Sequence, residues 1–371
     1  MGSLEDFKPL KEFYGEMTVK DIAENIKKIS SDFDRKGFLF EVLGDLDNLT
    51  YKKRLDHIAS GLRKYLPKKF KKAVEILLAS IDNELENCDK IITWVHSNFI
   101  ALYGIDDFET SMEALYKLNL IVINEAFTRP FLVKYPQETY KLFRKWAHDK
   151  HDATKWLVCA SLRPTMTFAV RVDDVIKNPA PALEILSMMK DDKSKLVRNA
   201  VADALNDIAK YQSNMVVDTL KKWKTENSSE ECSQTINAAL DMLTNTGISE
   251  ALELLGYKKD VKLELMDFRL EDDNVKAEEA VKFSLKYKLN EKSPAKVKLD
   301  YAMYFYRPGR KYLGKIFKIK NDELVPGKEY KTSRKYRFRT NRTIKFHRGV
   351  QKIEILCNQK IIASKEFFLD L

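Results

Sequence analysis

The sequence predicts a mostly α-helical protein: a solenoid of stacked helix pairs, followed by a small all-β sandwich. Three observations lead there. Apolar residues recur at three- and four-residue spacing up to Gly256 and at two-residue spacing beyond it. Between residues 119 and 210 one helical pattern occurs twice. A shift of 43 lays Asp149, Lys155, Val158 and Leu162 on Asp192, Arg198, Val201 and Leu205. The charge divides at the same place as the periodicity: from Lys258 onward 29 Lys and Arg stand against 16 Asp and Glu, whereas the rest carries 36 against 39. A repeat of about 40 residues is the spacing of HEAT-like units, which stack because one helix pair cannot bury its apolar face alone. The expected domains are residues 1–256, helical, and residues 257–371, β.

Amphipathic helices are expected over 19–29, 33–46, 51–66 and 69–81, with Ile22, Ile26 and Ile29 as one stripe and Leu55, Ile58, Leu62 and Leu66 as another. Thr18 followed by Asp21 suggests a cap at the first start. Lys52, Lys53, Arg54, Arg63, Lys64, Lys68, Lys69, Lys71 and Lys72 give the third and fourth helices a basic side, which reads first as a solvated face. Helices over 90–102 and 108–125 lead into the repeats. Each repeat has an outer helix (138–148; 182–189), an Asp-containing turn and an inner helix (153–162; 195–208). A further pair over 215–224 and 230–243 and a closing segment over 248–255 complete the stack. Pro130, Pro136, Pro164, Pro179 and Pro181 all fall where helices must stop or restart. Stacked pairs curve, and the ends of successive inner helices would bring Glu125, Phe168 and Asp207 to the hollow. Two carboxylates and an aromatic ring suit a cationic, ring-shaped target.

After Gly256, residues 281–289 alternate without error, and Val297, Leu299, Tyr301, Met303 and Phe305 alternate as well. With strands over 261–268, 316–319, 335–339, 353–357 and 367–371, about seven fit, the count of an immunoglobulin-like sandwich. Between Met303 and Lys352 there are 16 basic residues and 3 acidic ones. Arg307, Arg310 and Lys311 would project from a turn. Lys335, Arg337 and Arg339 would share one strand face, with Tyr336 and Phe338 on the other, and Arg342 follows. So one-sided a cation surface points to a nucleic-acid backbone.

Composition excludes several classes. No run reaches the about 18–20 apolar residues of a membrane span, and the first residues lack a signal peptide's apolar core. Cys88, Cys159, Cys232 and Cys357 have no paired spacing and read as buried thiols of a cytoplasmic protein. There is no glycine-rich phosphate loop, zinc pattern or nucleophile elbow. His148 and His151 fall at a helix end and turn and read as exposed polar residues. No metal or cofactor is expected.

Against this background the motifs resemble those of the AlkC-type DNA alkylation-repair glycosylases. The resemblance lies in residues 106–114 (Asp-Asp-Phe-Glu-Thr-Ser-Met-Glu-Ala), Arg129-Pro130-Phe131, Arg163-Pro164, Val197-Arg198, the run Leu205-Asn206-Asp207-Ile208, and the closing stretch 250–256. It covers the helical part, and some family members carry a C-terminal immunoglobulin-like domain. It implies excision of cationic alkylated bases, such as 3-methyladenine, from duplex DNA, without turning the base fully into a pocket. Residue by residue, it implies Glu125 and Asp207 as the carboxylates and Phe168, with Trp156, lining the lesion. Arg129, Lys155, Arg163 and Arg198 would touch DNA, though Arg163 (with Asp207) and Arg198 read at least as much as structural pairs between repeats. The chain departs from the family pattern at Trp156, Ala160, Thr165, Phe168, Asp203, Ala238 and Asp241. Phe168 stands where tryptophan is usual, and phenylalanine is the weaker cation–π face.

The reading is a monomeric glycosylase on alkylated duplex DNA. Two rivals stand beside it: a non-catalytic relative that recognises bent or branched DNA through the sandwich, and a solenoid scaffold for proteins.

Overall fold

A computed structural model describes residues 10–81, 90–226, 229–245, 249–276, 278–338 and 345–371. Cys88, Gly247, Arg339 and Arg342, all named above, lie outside the described residues. The chain divides into two compact units, Met1–Ile236 and Asn237–Leu371.

The first unit is helical. Its N-terminal helices are α1 (Glu16–Ile29), α2 (Arg35–Leu46), α3 (Tyr51–Tyr65), α4 (Phe70–Ala79), α5 (Lys90–Tyr103) and α6 (Phe108–Ile121). The stripes expected on α1 and α3 are buried, except that Ile29 is exposed at its helix end. The cap expected at Thr18 is not used: α1 starts after Gly15, and the Thr18 hydroxyl donates to the Phe13 carbonyl at 2.8 Å. Asp34 and Asp107 cap α2 and α6 by accepting from the backbone N–H three residues on. On the basic side of α3, Arg54 is buried against the carbonyls of Leu49 and Tyr14, and Lys52 and Lys64 pair with Asp56 and Glu41.

Two layers follow. Helices α7 (Arg129–Lys134), α8 (Pro136–Trp146) and α11 (Ala180–Ser187) form the outer row, and α9 (Asp152–Ser161) and α12 (Lys195–Glu226) continue the inner row begun by α6. A short α10 (Asp173–Lys177) lies between them in sequence. Helix α9 packs between α6 and α12, so each inner helix is covered by its neighbours and by the outer row. Prolines sit in the first turns of α7, α8 and α11, where a missing N–H costs nothing. Gln212 leaves helical geometry (φ −136°, ψ 57°) and divides α12 into the two expected helices. Helix α6 stops at Ile121, short of the expected end, and Glu125 begins a separate 3-10 turn, Glu125–Phe127.

The second unit starts within α13 (Glu230–Asn245) and includes α14 (Ser249–Leu254). These helical ends are capped from the β part of the same unit. Gln359 donates to the Thr244 carbonyl at 2.8 Å and Lys296 to the Leu255 carbonyl at 3.1 Å. The strands are β1 (Leu263–Leu270), β2 (Asn274–Lys276), β3 (Ala280–Leu289), β4 (Ala295–Phe305), β5 (Leu313–Leu324), β6 (Glu329–Arg337), β7 (Gly349–Cys357) and β8 (Lys360–Asp370). Two sheets, in the orders β1-β3-β6 and β2-β8-β7-β4-β5, face each other across Phe283, Leu285, Tyr287, Leu299, Tyr301, Met303 and Ile355. All seven expected strands are present. The eighth, β2, is a three-residue parallel partner of β8.

Strand β4 is buried on both faces. On its outward side Lys298 and Asp300, both buried, form a 2.6 Å ion pair. Cys159, Cys232 and Cys357 are buried free thiols. Among the described residues no helix is long and apolar enough to cross a membrane.

Candidate active site

Of the residues singled out in the helical part, Glu125, Arg129, Arg163 and Asp207 come within electrostatic reach of one another, whereas Lys155 and Arg198 stand in the first turns of α9 and α12. The backbone around Glu125 is fixed first. Asn124 is fully buried; its N–H donates to the Asn119 side chain at 3.4 Å, and its own amide donates to Ser97 at 2.9 Å. The Trp94 indole N–H holds the Ile123 carbonyl at 3.2 Å. Thr128 closes the turn from the other side, donating to the Glu125 carbonyl at 3.1 Å and sharing a 2.7 Å hydrogen bond with Ser161 of α9. The 3-10 turn that carries Glu125 is thus pinned to α5, α6 and α9, and its side chain inherits that rigidity.

Glu125 is half-buried, and among the described residues it forms no ion pair. Burial raises its pKa above the ordinary glutamate value of 4.5, and the positive charges of Arg163 and Arg129 pull it back in part. Among the described residues Glu125, unlike Asp207, has cations near it and none bonded to it. Asp207 is different. It is buried; one oxygen accepts from Arg163 Nε at 2.5 Å and the other from Lys210 Nζ at 2.5 Å. Asp203, one turn earlier on α12, is exposed, though the protein around it removes part of its water. That desolvation raises its pKa, the Arg163 charge lowers it, and the Asp207 charge raises it further. Arg163 is therefore the electrostatic hub of three carboxylates.

Arg129 corrects an expectation. It is completely buried, and its guanidinium donates to the carbonyls of Val170 (2.7 Å), Ser161 (3.1 Å), Arg163 (2.5 Å), Pro164 (3.0 Å) and, more weakly, Ala160 (3.5 Å). Those carbonyls include the C-terminal end of α9, whose last groups lack helical partners. Burial lowers the Arg129 pKa to about 10, so the group stays charged at neutral pH. A guanidinium so enclosed cannot reach a phosphate; Arg129 is a clamp on the loop after α9. Lys155 is corrected in the same way, and Arg198 takes the structural role that was its alternative. Lys155 is buried and joins Asp192 at 2.6 Å and Asp152 at 3.1 Å. Arg198 is buried and donates to the carbonyls of Asp192 and Lys193 and to Gln234. These are ties between successive repeats.

Phe168 sits in the clamped loop, on a backbone with φ 62° and with 63% of its surface exposed. For a bulky residue the left-handed region is uncommon and costs about 1–3 kcal/mol, sustained only where the surroundings enforce it. Its ring lies 5.7 Å from that of Tyr51, at the start of α3, tilted by 49°. Trp156 is half-buried on α9, and among the described residues no ring contact joins it to Phe168. His151 is held in its turn by Asp149, whose carboxylate takes the His151 N–H at 2.8 Å and the Tyr116 hydroxyl at 3.0 Å. Sequence reasoning missed Lys210, although its position three residues after Asp207 on one helix was a readable pairing signal. It also missed Tyr51, whose link to Phe168 has no local signature.

In the sandwich, Arg310 and Lys311 are exposed and Arg307 half-buried in the turn between β4 and β5, where Gly309 takes φ 65°. Lys335 and Arg337 point out from β6 while Tyr336 and Phe338 turn inward onto Phe305. Lys335 and Lys331 stand directly opposite Lys282 and Lys286 of β3, which are paired with Glu271 and Glu329 at 2.9 Å each.

Two family models match. Residues 123–255 fit the model described as DNA alkylation repair enzyme, and residues 264–371 fit that of the C-terminal Ig-like domain of the uncharacterised protein YhaZ. The whole chain also superposes on one solved structure, the Pseudomonas fluorescens alkylpurine DNA glycosylase AlkC bound to DNA containing an abasic site analog. The TM-score is 0.88 at 25% identity, covering 98% of this chain and 100% of that one. The chain is similar over its whole length to an AlkC-type DNA alkylation-repair protein, and its residues 123–255 match the repair-enzyme family model. Among curated proteins it is 24% identical over 359 residues to the uncharacterized protein YhaZ of Bacillus subtilis, covering 96% of this chain and 98% of that protein. One family-model match falls on the helical part and the other on the β part.

Proposed function

We propose that this protein is a monofunctional DNA glycosylase that works as a monomer in the cytoplasm and releases cationic alkylated bases of the 3-methyladenine type from duplex DNA. The observation that carries the reading is Glu125: a half-buried carboxylate, free of ion pairs among the described residues, on a rigid turn in the segment that matches the repair family. The family and the full-length likeness to an alkylpurine glycosylase support the reaction class.

The chemistry follows from the lesion. Alkylation places a positive charge on the base, so the bond from C1′ to the base nitrogen breaks with its electron pair leaving on the base, which departs neutral. Positive charge develops on the sugar. A carboxylate in a desolvated site stabilises that charge more strongly than one in water. Glu125 takes this role and accepts a proton from the water that attacks C1′, leaving an abasic site and a free base. Phe168 offers a ring face to the cation. Asp207, held by Arg163 and Lys210, contributes negative potential at a fixed position. Lys335 and Arg337, with Arg307, Arg310 and Lys311, hold the DNA backbone by charge.

The doubly paired Asp207 favours one rival, a relative that binds DNA without excision. Incubation with methylated duplex DNA separates the two. Release of methylated base that is lost in Glu125→Gln supports the proposal; salt-sensitive binding without release supports the rival.

A further inference from the structure

The backbone of the loop that presents Phe168 is over-determined, and its ring is not held by that backbone. Arg129 grips the loop on both sides of the ring, at the carbonyls of Arg163 and Pro164 before it and Val170 after it, and Val172 N–H closes back onto the Pro164 carbonyl at 3.0 Å. This explains how a phenylalanine stays at φ 62°. It does not explain what fixes the ring plane, since a side chain 63% exposed is free to change rotamer unless something lies against it. What lies against it is Tyr51, at a centroid distance of 5.7 Å. Tyr51 is itself backed by Tyr14, a buried ring 5.2 Å away and tilted by 42°. The three rings run from the core of the N-terminal helices outward to the loop.

A cation is attracted to a ring's face and not to its edge, so the benefit of Phe168 to a cationic nucleotide depends on where its plane points. We infer that Tyr51 is a positioning residue for Phe168. Packed between Tyr14 and the loop, it keeps the free face of Phe168 turned toward the charged ring of the damaged nucleotide. The N-terminal helices thereby take part in choosing cationic lesions, through an aromatic contact and with no charged group. This inference rests on the glycosylase reading above.

The test uses the full chain and single-turnover release of methylated base from duplex DNA. It compares Tyr51→Leu, Tyr51→Phe, Phe168→Leu and the Tyr51→Leu/Phe168→Leu pair, with thermal melting as a check on folding. Tyr51→Leu is expected to slow release roughly two- to tenfold, the range of one aromatic pair, with DNA affinity within about twofold of the parent. Tyr51→Phe keeps the ring and restores the rate. The double variant is no slower than Phe168→Leu alone, because Tyr51 acts only through that ring. Parental release by Tyr51→Leu, failure of Tyr51→Phe to rescue, or additive losses in the double variant overturns the positioning role while the glycosylase reading stands. Absence of release by the parent protein removes both.

Discussion

Replacing Arg129 by methionine tests the clamp that organises the site. The side chain is fully buried and makes four hydrogen bonds of 2.5–3.1 Å to carbonyls of the loop and of the end of α9. A hydrogen bond to a charged donor contributes about 1.5–3 kcal/mol, which sets an upper bound well above the net effect. Two things reduce it: the loop can swing out and let water reach its carbonyls, and the cost of burying a charge, several kcal/mol, disappears with the guanidinium. A net loss of about 3–5 kcal/mol remains, the size expected for breaking a buried charged network. For the unit Met1–Ile236 this lowers the melting temperature by about 6–20 °C. Melting followed by far-ultraviolet circular dichroism reads it, and limited proteolysis should cut first in the loop around Phe168. A melting temperature within about 2 °C of the parent, with the loop still protected, would refute the clamp.

Other consequences follow from the charges. Burial raises the Glu125 pKa, so its contribution to stability is present below the unfolded glutamate value of 4.5 and lost as pH rises through the folded value. Glu125→Gln should therefore melt at or above the parent at neutral pH while losing activity, and parental base release should fall away on acidification at a pH above 4.5; equal melting losses at every pH would contradict this. In the sandwich, Lys298→Met leaves Asp300 buried with one oxygen already lacking a hydrogen-bond partner. A loss of about 3–5 kcal/mol is expected near neutral pH, shrinking on acidification because burial raises the Asp300 pKa, and largely recovered in Lys298→Met/Asp300→Leu. Titrating DNA affinity against salt should show Lys335→Ala/Arg337→Ala with a log–log slope shallower by about 0.9 for each phosphate that is no longer neutralised; an unchanged slope would remove β6 from the DNA surface.

Periodicity made most of the fold legible. A three- to four-residue repeat marked the helices because each needs one buried stripe, and strict alternation marked β3 and β4 because their side chains point alternately inward and outward. Strand β2 escaped because three residues cannot show alternation and its support comes from the distant β8. The setting of Glu125 was not legible, since the turn that fixes it depends on Asn124, Ser97 and Ser161, brought together only by stacking. The basic residues of the repeats were the least legible. A lysine or arginine reads the same in sequence whether it faces solvent or ties one repeat to the next. The signal was there in the spacing: Lys155 meets Asp192 at a separation of 37 residues, near one repeat, as the expected pair Arg163 and Asp207 meets at 44.

The most direct test of the account is single-turnover release of 3-methyladenine from methylated duplex DNA by the parent protein and by Glu125→Gln, with both first shown to bind DNA equally. The account predicts release by the parent and a fall of at least about 100-fold in the variant, the scale of losing one electrostatic group from a desolvated site. Release by Glu125→Gln at the parental rate would contradict it.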